Sequence, residues 1–357
     1  MELNNIILTI LFVILIYFFN IYLLNYFYKS KYKLLLDNDY KKPQAFHKDS
    51  TYRLGGTSIF FTLFLSFLFI SFSQNIFYME YTSFGIIFFI LGLLDDIKIN
   101  ILPKFRLGAM ILALISLIIY NNLYIERTGL EFLNYLLETD IFALFFISLC
   151  FLFIINGANL IDGFNGLLGI HTLIIFTILF LINFINGNNE ISFVLFFIIL
   201  SILIFLTFNF PNAKMFLGDS GSYLLGALVS VSVIKTSIIN PSISPFFFSV
   251  LLIYLFFEVF FSFFRKILYA RQSPLLPDNK HLHMNLYKYL LKKNTFNSNS
   301  NYKVSIYINF VYLLLIVINF SRSKFLSVML FVINTNSLTQ PFVITQPFVN
   351  LISKQSI

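Results

Sequence analysis

Long apolar runs separated by short polar stretches make up most of the chain between residues 5 and 334. A helix of about 20 apolar residues can cross the hydrocarbon core of a bilayer. The pattern therefore predicts an all-α fold, a polytopic transmembrane helix bundle with 10 or 11 spans. The predicted spans are residues 5–28, 55–73, 81–94, 107–120, 141–156, 166–183, 191–208, 222–236, 243–264, 304–320 and 324–334.

The two ends of the chain differ in character. The first run is followed by a basic loop rather than a small-residue cleavage site, which predicts an anchor and not a cleaved signal. Near the other end, the run 325–333 is too short to span alone and leads into two Thr-Gln-Pro-Phe-Val repeats. We predict one transmembrane catalytic domain at 1–334 and a tail at 335–357. We expect a truncated or unrelated C-terminus there and assign it no function.

Composition agrees with a membrane protein. Hydrophobic residues make up 58% of the 357 residues, charged residues only 11%, and the mean hydropathy is +0.84. So little polar surface could not cover a water-soluble globule of this length. The single cysteine, Cys150, excludes an intrachain disulfide and a cysteine-rich metal site.

Positive charges orient the predicted bundle. Loops 29–54, 95–106, 157–165, 209–221 and 265–303 hold 19 of the 24 Lys and Arg residues. Such an excess marks cytoplasmic loops, so the N-terminus is predicted to face outward. The candidate chemical groups fall on this same side, which predicts an active site at the cytoplasmic face. These groups are Asp95, Asp96, Asp162, Asp219, Asp278, His281 and His283.

The stretch Phe210–Gly226 surrounds one acid with small residues. Asp219 is the only acid between Glu190 and Glu258, and Gly218, Ser220, Gly221 and Ser222 are its neighbours. Small residues let backbone N–H groups approach an oxyanion, and either serine would suit a helix N-cap. The stretch predicts a hard-metal ligand beside an anion cradle, with a simple capped turn as the alternative.

Two adjacent acids, Asp95 and Asp96, close the short predicted span 81–94. They repel each other and are costly near lipid unless a cation compensates their charge. A divalent metal would do so, as would Lys104 and Arg106 nearby. The alternative is a helix end whose two acids are solvated in the headgroup region.

A third polar segment follows span 141–156. Asn156, Asn159, Asp162 and Asn165 recur every three residues, so they share one face if the turn stays helical. The amides suit a base, a sugar or an acetamido group, and Asp162 suits a metal or a proton. Polar contacts between packed helices are the alternative.

The remaining candidates lie in or beside basic loops. Glu258 lies inside span 243–264, where an ionisable residue is a functional candidate, with a buried cationic partner or a protonated state as the alternatives. His281 and His283 follow Arg271 in the last loop and suit phosphate oxygens better than a metal. In the first loop four cations suit a nucleotide diphosphate or a lipid headgroup, or serve only as the orientation signal. These are Lys42, His47, Lys48 and Arg53.

Four motifs in order resemble one enzyme family. They are Leu-Asp-Asp, Asn-x-x-Asn-x-x-Asp-Gly, Lys-x-Phe-x-Gly-Asp-x-Gly-Ser and Pro-Asp-x-x-His-x-His, between about Lys42 and Leu291. Together they resemble the polyprenyl-phosphate N-acetylhexosamine-1-phosphate transferases. That family includes enzymes that initiate O-antigen synthesis and the phospho-MurNAc-pentapeptide transferase of peptidoglycan synthesis.

The resemblance implies transfer of a sugar 1-phosphate from a UDP-sugar to undecaprenyl phosphate, with Mg²⁺ as cofactor and release of UMP. It implies a multi-pass protein of the bacterial inner membrane that contacts membrane lipid and no nucleic acid, and it leaves a homodimer open. Asp219 and Asp162 match metal ligands, and Asp95, Asp96 and Asp162 match catalytic acids. The matching substrate-binding residues are Asn156, Asn159, Lys104, Arg271, His281 and His283.

The chain departs from the family pattern at three places. The third acid that often follows the acidic pair is missing, since Ile99 and Asn100 occupy that region, Asn165 replaces a second Asp, and Met284 replaces a His. A polytopic transporter and a noncatalytic scaffold are the alternatives from other classes. A transporter more often shows paired internal repeats and charges within several spans, and a scaffold needs no acids gathered in cytoplasmic loops.

Overall fold

A computed structural model of the protein describes residues 3–30, 35–37, 50–74, 78–99, 102–125, 127–269, 271, 273, 279–293 and 301–320. Helices dominate it, which confirms the predicted all-α class. The helices are α1 (Leu3–Ser30), α2 (Gly55–Gln74), α3 (Met79–Asp96), α4 (Pro103–Asn121), α5 (Glu131–Leu137), α6 (Asp140–Ile161), α7 (Leu167–Ile185), α8 (Asn189–Asn209), α9 (Gly218–Ile239), α10 (Pro245–Leu251), α11 (Ile253–Phe264), α12 (Leu282–Lys292) and α13 (Asn301–Phe320). A π-helical turn, Arg265–Tyr269, extends α11.

The first ten predicted spans each coincide with a helix or a helix pair. Within the described residues, six helices are long and apolar enough to cross a membrane: α4, α6, α7, α8, α9 and α13. The pair α10 and α11 makes a seventh if it forms one span, although it bends by 65°. The polytopic class is confirmed, while 6 or 7 spans meet this test against the 10 or 11 predicted.

Two helices are longer than the spans that the apolar pattern predicted. Helix α3 has 18 residues and α9 has 22, whereas the predicted spans were 81–94 and 222–236. Both helices begin or end in polar residues, which an apolar pattern does not count. At about 1.5 Å per residue α3 is about 27 Å long, which is longer than the span predicted there.

Helix α9 lies at the centre of the bundle. It packs against α2, α3, α6 and α7, and 78% of its most apolar stretch is buried, against 22% for α4. Glycines bring neighbouring backbones close to it. A Cβ added at Gly56, on α2, would lie 2.2 Å from the Ser220 Oγ, and one at Gly226 would lie 2.7 Å from the Ile155 Cα of α6. Small residues thus allow the close helix packing that membrane interfaces use.

A short backbone seam joins the first loop to the segment before α9. Strands β1 (Leu36–Asp37) and β2 (Thr51–Tyr52) pair antiparallel. Beyond β2, the Phe216 N–H donates to the Tyr52 carbonyl, and the N–H groups of Gly55 and Gly56 donate to the carbonyls of Phe216 and Leu217, each at 2.8 Å. The seam sets the first loop beside the start of α9.

Residues 1–314 form one compact unit and residues 315–357 a second, of which only the end of α13 is described. The predicted span 324–334 and the tail 335–357 lie outside the described residues. The domain boundary at 334 and the outward-facing N-terminus stay predictions.

Candidate active site

Three helix ends bring the predicted acids to one place. Asp95 and Asp96 end α3, Asp162 follows the last residue of α6, and Asp219 lies in the first turn of α9. The Asn159 side-chain amide joins two of these helices, because its Nδ2 donates to Asp219 Oδ1 at 2.7 Å and to Ser222 Oγ at 3.1 Å. Helix packing therefore gathers acids that lie more than 120 positions apart in the chain.

Asp96 caps the N-terminus of α9. The Asp219 N–H donates to Asp96 Oδ1 and the Ser220 N–H donates to Oδ2, both at 2.9 Å. Gly218 makes this possible, since its φ is +78° and a Cβ there would lie 2.6 Å from Asp96 Oδ2. A carboxylate at this position satisfies free amides and complements the helix dipole.

The predicted serine N-cap and open anion cradle are therefore wrong. Helix α9 already begins at Gly218, so Ser220 and Ser222 lie within its first turns, and its N-cap residue is Leu217, whose own side chain makes no capping hydrogen bond. The amides that the sequence assigned to a bound oxyanion hold the carboxylate of Asp96 instead. Local spacing could not reveal this acceptor because it comes from another helix.

Arg53, in the first loop, contacts two of the acids near the start of α9. Its guanidinium donates to Asp37 Oδ2 from Nη2 at 2.8 Å and from Nε at 3.1 Å, and Nη1 lies 3.4 Å from Asp96 Oδ1. Burial lowers the pKa of Arg53, but Asp219, Asp37 and Asp96 outweigh it and hold that pKa above its usual value. Arg53 is a charged partner for the acids, not a solvated orientation signal alone.

Asp95 points to different partners from those of Asp96. Arg106 Nη1 donates to Asp95 Oδ2 at 2.8 Å, and the buried Tyr223 hydroxyl lies 3.5 Å from the same oxygen. Arg106 thus supplies the compensating cation that the sequence predicted. Lys104 is exposed at the start of α4, and within the described residues no hydrogen bond or ion pair joins it to the acids.

The polar segment after α6 does not continue as a helix. Helix α6 ends at Ile161 and Asp162 takes a non-helical conformation, so the predicted four-residue polar face is wrong beyond Asn159. Asn165 Nδ2 donates to the Pro211 carbonyl at 2.8 Å, and Asn156 Nδ2 donates to the Leu152 carbonyl of its own helix. Of the two amides proposed for substrate binding, only Asn159 touches the acids.

The Asp162 carboxyl lies in a buried and negatively charged environment. Burial, followed by the negative charges of Asp219 and Asp96, raises the pKa of the Asp162 carboxyl to about 8, although Arg53 opposes the change. A divalent cation would remove this penalty, because a nearby positive charge favours a carboxylate. The donor set therefore fits a hard metal at Asp219 and Asp162.

Within the described ranges, no group of three or more His, Cys, Asp and Glu side chains is arranged so that it could hold a metal ion. Mg²⁺ seldom needs such a group, since it keeps several waters and binds through one or two carboxylates plus substrate phosphates. Asp219 and Asp162 are the two carboxylates that would hold such an ion.

The histidine motif is anchored by Glu258. Its Oε2 lies 3.0 Å from His281 Nδ1, and its Oε1 accepts from the Leu282 N–H at 3.1 Å. A Cβ at Gly163 would lie 3.2 Å from His283 Nε2, so this ring lies against the residue after Asp162. Burial lowers the pKa of His283, which favours a neutral ring at pH 7. Glu258 thus has a buried histidine as its partner.

Some predicted residues remain apart from the cluster. Arg271 is exposed, with a positive φ of 47°. Lys42, His47, Lys48 and Asp278 lie outside the described residues. Conversely, sequence reasoning overlooked Asp37 and Tyr223, because an acid in a basic loop and a tyrosine in an apolar helix carry no motif of their own.

Comparison with known proteins finds similarity over the part of the chain that carries the four acids. Residues 77–237, which include Asp95, Asp96, Asp162 and Asp219, match the model of glycosyl transferase family 4. The chain is 31% identical over 230 residues to the undecaprenyl-phosphate alpha-N-acetylglucosaminyl 1-phosphate transferase of Thermotoga maritima, covering 64% of this chain and 66% of that protein. It is 30% identical over 239 residues to the phospho-N-acetylmuramoyl-pentapeptide-transferase of Dictyoglomus turgidum, covering 64% and 74%.

The chain belongs to glycosyl transferase family 4. A protein of Streptococcus pneumoniae with the second of these names is 32% identical over 215 residues, which cover 55% of this chain and 62% of that protein. The family 4 match ends at residue 237, so Glu258 and the histidine motif lie beyond it. The fold and the family together make this a multi-pass membrane transferase.

Proposed function

We propose that this family 4 protein transfers an N-acetylhexosamine 1-phosphate from a UDP-sugar to undecaprenyl phosphate. The products are undecaprenyl-pyrophosphoryl-sugar and UMP. The observation that supports the proposal is the convergence of Asp95, Asp96, Asp162 and Asp219 from three helix ends at one site. Beside them lie two arginines and a histidine pair, as a reaction between two phosphates requires.

In this reaction an oxygen of the lipid phosphate attacks the phosphorus that carries the sugar. The bond from that phosphorus to the bridging oxygen breaks, and the bridging oxygen leaves with UMP. Both reactants are anions, so catalysis depends on positioning and on neutralising charge. Asp219 and Asp162 would hold Mg²⁺, which supplies much of that neutralisation when bound.

The partners of each side chain suggest different roles for Asp96, Asp95 and Asn159. Asp96 is engaged by two backbone amides and Arg53, so we assign it to holding the start of α9 and thereby Asp219. Asp95, whose partner Arg106 is one-third exposed, is the acid we assign to the lipid phosphate and its proton. Asn159 orients Asp219 through its 2.7 Å hydrogen bond.

Contacts to the UDP-sugar are assigned to the polar and basic groups that the sequence indicated, of which Asn159 touches the acids. They are Asn156, Asn159, Lys104, Arg271, His281 and His283. We place the protein in the bacterial inner membrane, with its site facing the cytoplasm, at the first membrane step of a cell-surface polysaccharide. No feature of the family match favours a transporter.

A second donor sugar has specific support. The relative from Dictyoglomus turgidum, which is named as a phospho-N-acetylmuramoyl-pentapeptide-transferase, is matched over 74% of its length. The alternative is therefore transfer of phospho-MurNAc-pentapeptide by the same chemistry. The two donors differ in the lactyl peptide, and the acids alone do not discriminate between them.

Membranes containing the protein should be incubated with undecaprenyl phosphate and radiolabelled UDP-GlcNAc or UDP-MurNAc-pentapeptide, with and without Mg²⁺, and the lipids then extracted. We expect a labelled lipid with one donor, only when Mg²⁺ is present. Asp219→Asn should abolish it while the protein stays folded, since the amide keeps the shape but loses the charge. No labelled lipid with any UDP-sugar of a wider panel would refute the proposal.

A further inference from the structure

Glu258 is a buried acid that the proposed reaction does not use directly. It lies on α11, its side chain is about 1% exposed, and it belongs to the part of the chain beyond the family 4 match. A carboxylate removed from water needs hydrogen-bond partners, or its burial is strongly unfavourable. Two of its partners, the His281 ring and the Leu282 N–H, lie at the start of α12, which carries the histidine motif, and His283 Nδ1 lies 3.8 Å from Oε1.

Each carboxylate oxygen has its own donor. Oε1 accepts from the Leu282 N–H at 3.1 Å, at the first residue of α12, and Oε2 lies 3.0 Å from His281 Nδ1. An ionised carboxylate only accepts, so the proton between Oε2 and the ring must lie on Nδ1. The other ring nitrogen, Nε2, is then the atom that His281 presents to other groups.

The second histidine of the motif, His283, packs beside the acids. The rings of His281 and His283 are nearly parallel, with an interplanar angle of 10° and centroids 5.8 Å apart. The His283 ring lies against Gly163 and packs edge to face with Phe164, with centroids 5.2 Å apart. Both are within two residues of Asp162, so the start of α12 lies against the loop after Asp162.

We propose that Glu258 is a positioning residue that fixes the orientation and the protonated nitrogen of His281 and holds the His281-Leu282-His283 segment against the loop after Asp162. The proposal deepens the proposed function and depends on it for its kinetic part. Outer partners of this kind, which orient a functional histidine, typically change activity or affinity by about 10- to 100-fold when they are removed.

The protonated nitrogen can be observed without any activity. The chain contains only four histidines, so ¹⁵N-histidine labelling gives four rings, which single His→Asn substitutions assign. Solid-state NMR of the protein in lipid vesicles should show a protonated Nδ1 for His281. An unprotonated Nδ1 in the wild-type protein would overturn the proposal whatever its activity.

Glu258→Gln provides the matched perturbation. Glutamine offers one oxygen, which still accepts from the Leu282 N–H, and one NH₂ group, which then faces His281 Nδ1. That ring nitrogen must lose its proton to accept, so we expect the NMR signal of Nδ1 to change from protonated to unprotonated. We expect kcat/KM for the active UDP-sugar to fall about 10- to 100-fold.

Two further variants separate positioning from a general effect on folding. Glu258→Asp keeps the carboxylate on a shorter arm and should recover part of the lost kcat/KM. Ser262→Ala changes another buried polar residue one turn further along α11 and should leave both the NMR signal and kcat/KM unchanged.

A protonated Nδ1 in Glu258→Gln, with kcat/KM within about twofold of wild type, would overturn the proposal. If Glu258→Gln does not fold, the wild-type spectrum still decides. Absence of labelled lipid from the wild-type protein would instead refute the proposed function and leave the NMR result standing.

Discussion

Replacing Asp96 by alanine tests whether this acid serves as the cap of α9. The substitution removes the acceptor for two backbone N–H groups, those of Asp219 and Ser220, each at 2.9 Å, and one partner of Arg53. The Asp96 side chain is fully buried, so water would not readily replace these interactions. The start of α9, which carries Asp219, would lose its fixed position.

The expected loss of stability follows from these contacts. A buried donor left without a partner costs about 1–3 kcal/mol, so two donors give about 2–6 kcal/mol. Repulsion between Asp96 and Asp219 disfavours the native site and offsets part of this loss. We expect Asp96→Ala to lower the free energy of unfolding by about 2–4 kcal/mol, and Asp96→Asn, which keeps one acceptor oxygen, by about half as much.

Thermal unfolding in detergent micelles, followed by circular dichroism, measures the change. Asp95→Ala is the control, because it removes the neighbouring carboxylate, which pairs with the one-third exposed Arg106 and accepts from neither of the two α9 amides. The control should unfold near the wild-type temperature yet lose transferase activity. Equal stability of Asp96→Ala and wild type, or a larger loss in Asp95→Ala, would refute the capping role.

Two further predictions concern the packing and the charge of the site. Gly92→Ala should destabilise the protein and reduce its activity, because the added Cβ would lie 2.3 Å from the Asp219 carbonyl oxygen. Gly85→Ala is the control, since the nearest atom to its added Cβ would be 3.6 Å away. It should be tolerated in the same unfolding and activity assays. The pKa of Asp162 is about 8 in the folded protein, against an ordinary value of 3.8. Between these two pH values the folded state binds a proton that the unfolded state has lost. The metal-free protein should therefore lose stability as the pH rises from about 4 to about 8. Mg²⁺ should raise the unfolding temperature more at about pH 8 than at about pH 6, and Asp162→Asn should remove that difference; an equal rise at both pH values would contradict the argument.

The class of protein and the positions of its helices follow from local features. Helix α7, for example, spans Leu167–Ile185 where residues 166–183 were predicted, because a continuous apolar run has few other stable arrangements in a bilayer. The ends of α3 and α9 were misplaced, since their first or last turns are polar and are stabilised by each other. The apolar pattern reports which residues can lie in lipid, and it contains no information on hydrogen bonds between polar helix ends.

The sequence by itself determined that the chain is a helical membrane protein and that acids, amides and histidines occur in a characteristic order. Only the tertiary structure decided what each group does. Asp96 meets the Ser220 amide 124 positions away, Arg53 meets Asp96 across 43, and His281 meets Glu258 across 23. These partners are set by how helices pack and by which buried groups need a donor or an acceptor, and no local spacing of residues encodes either.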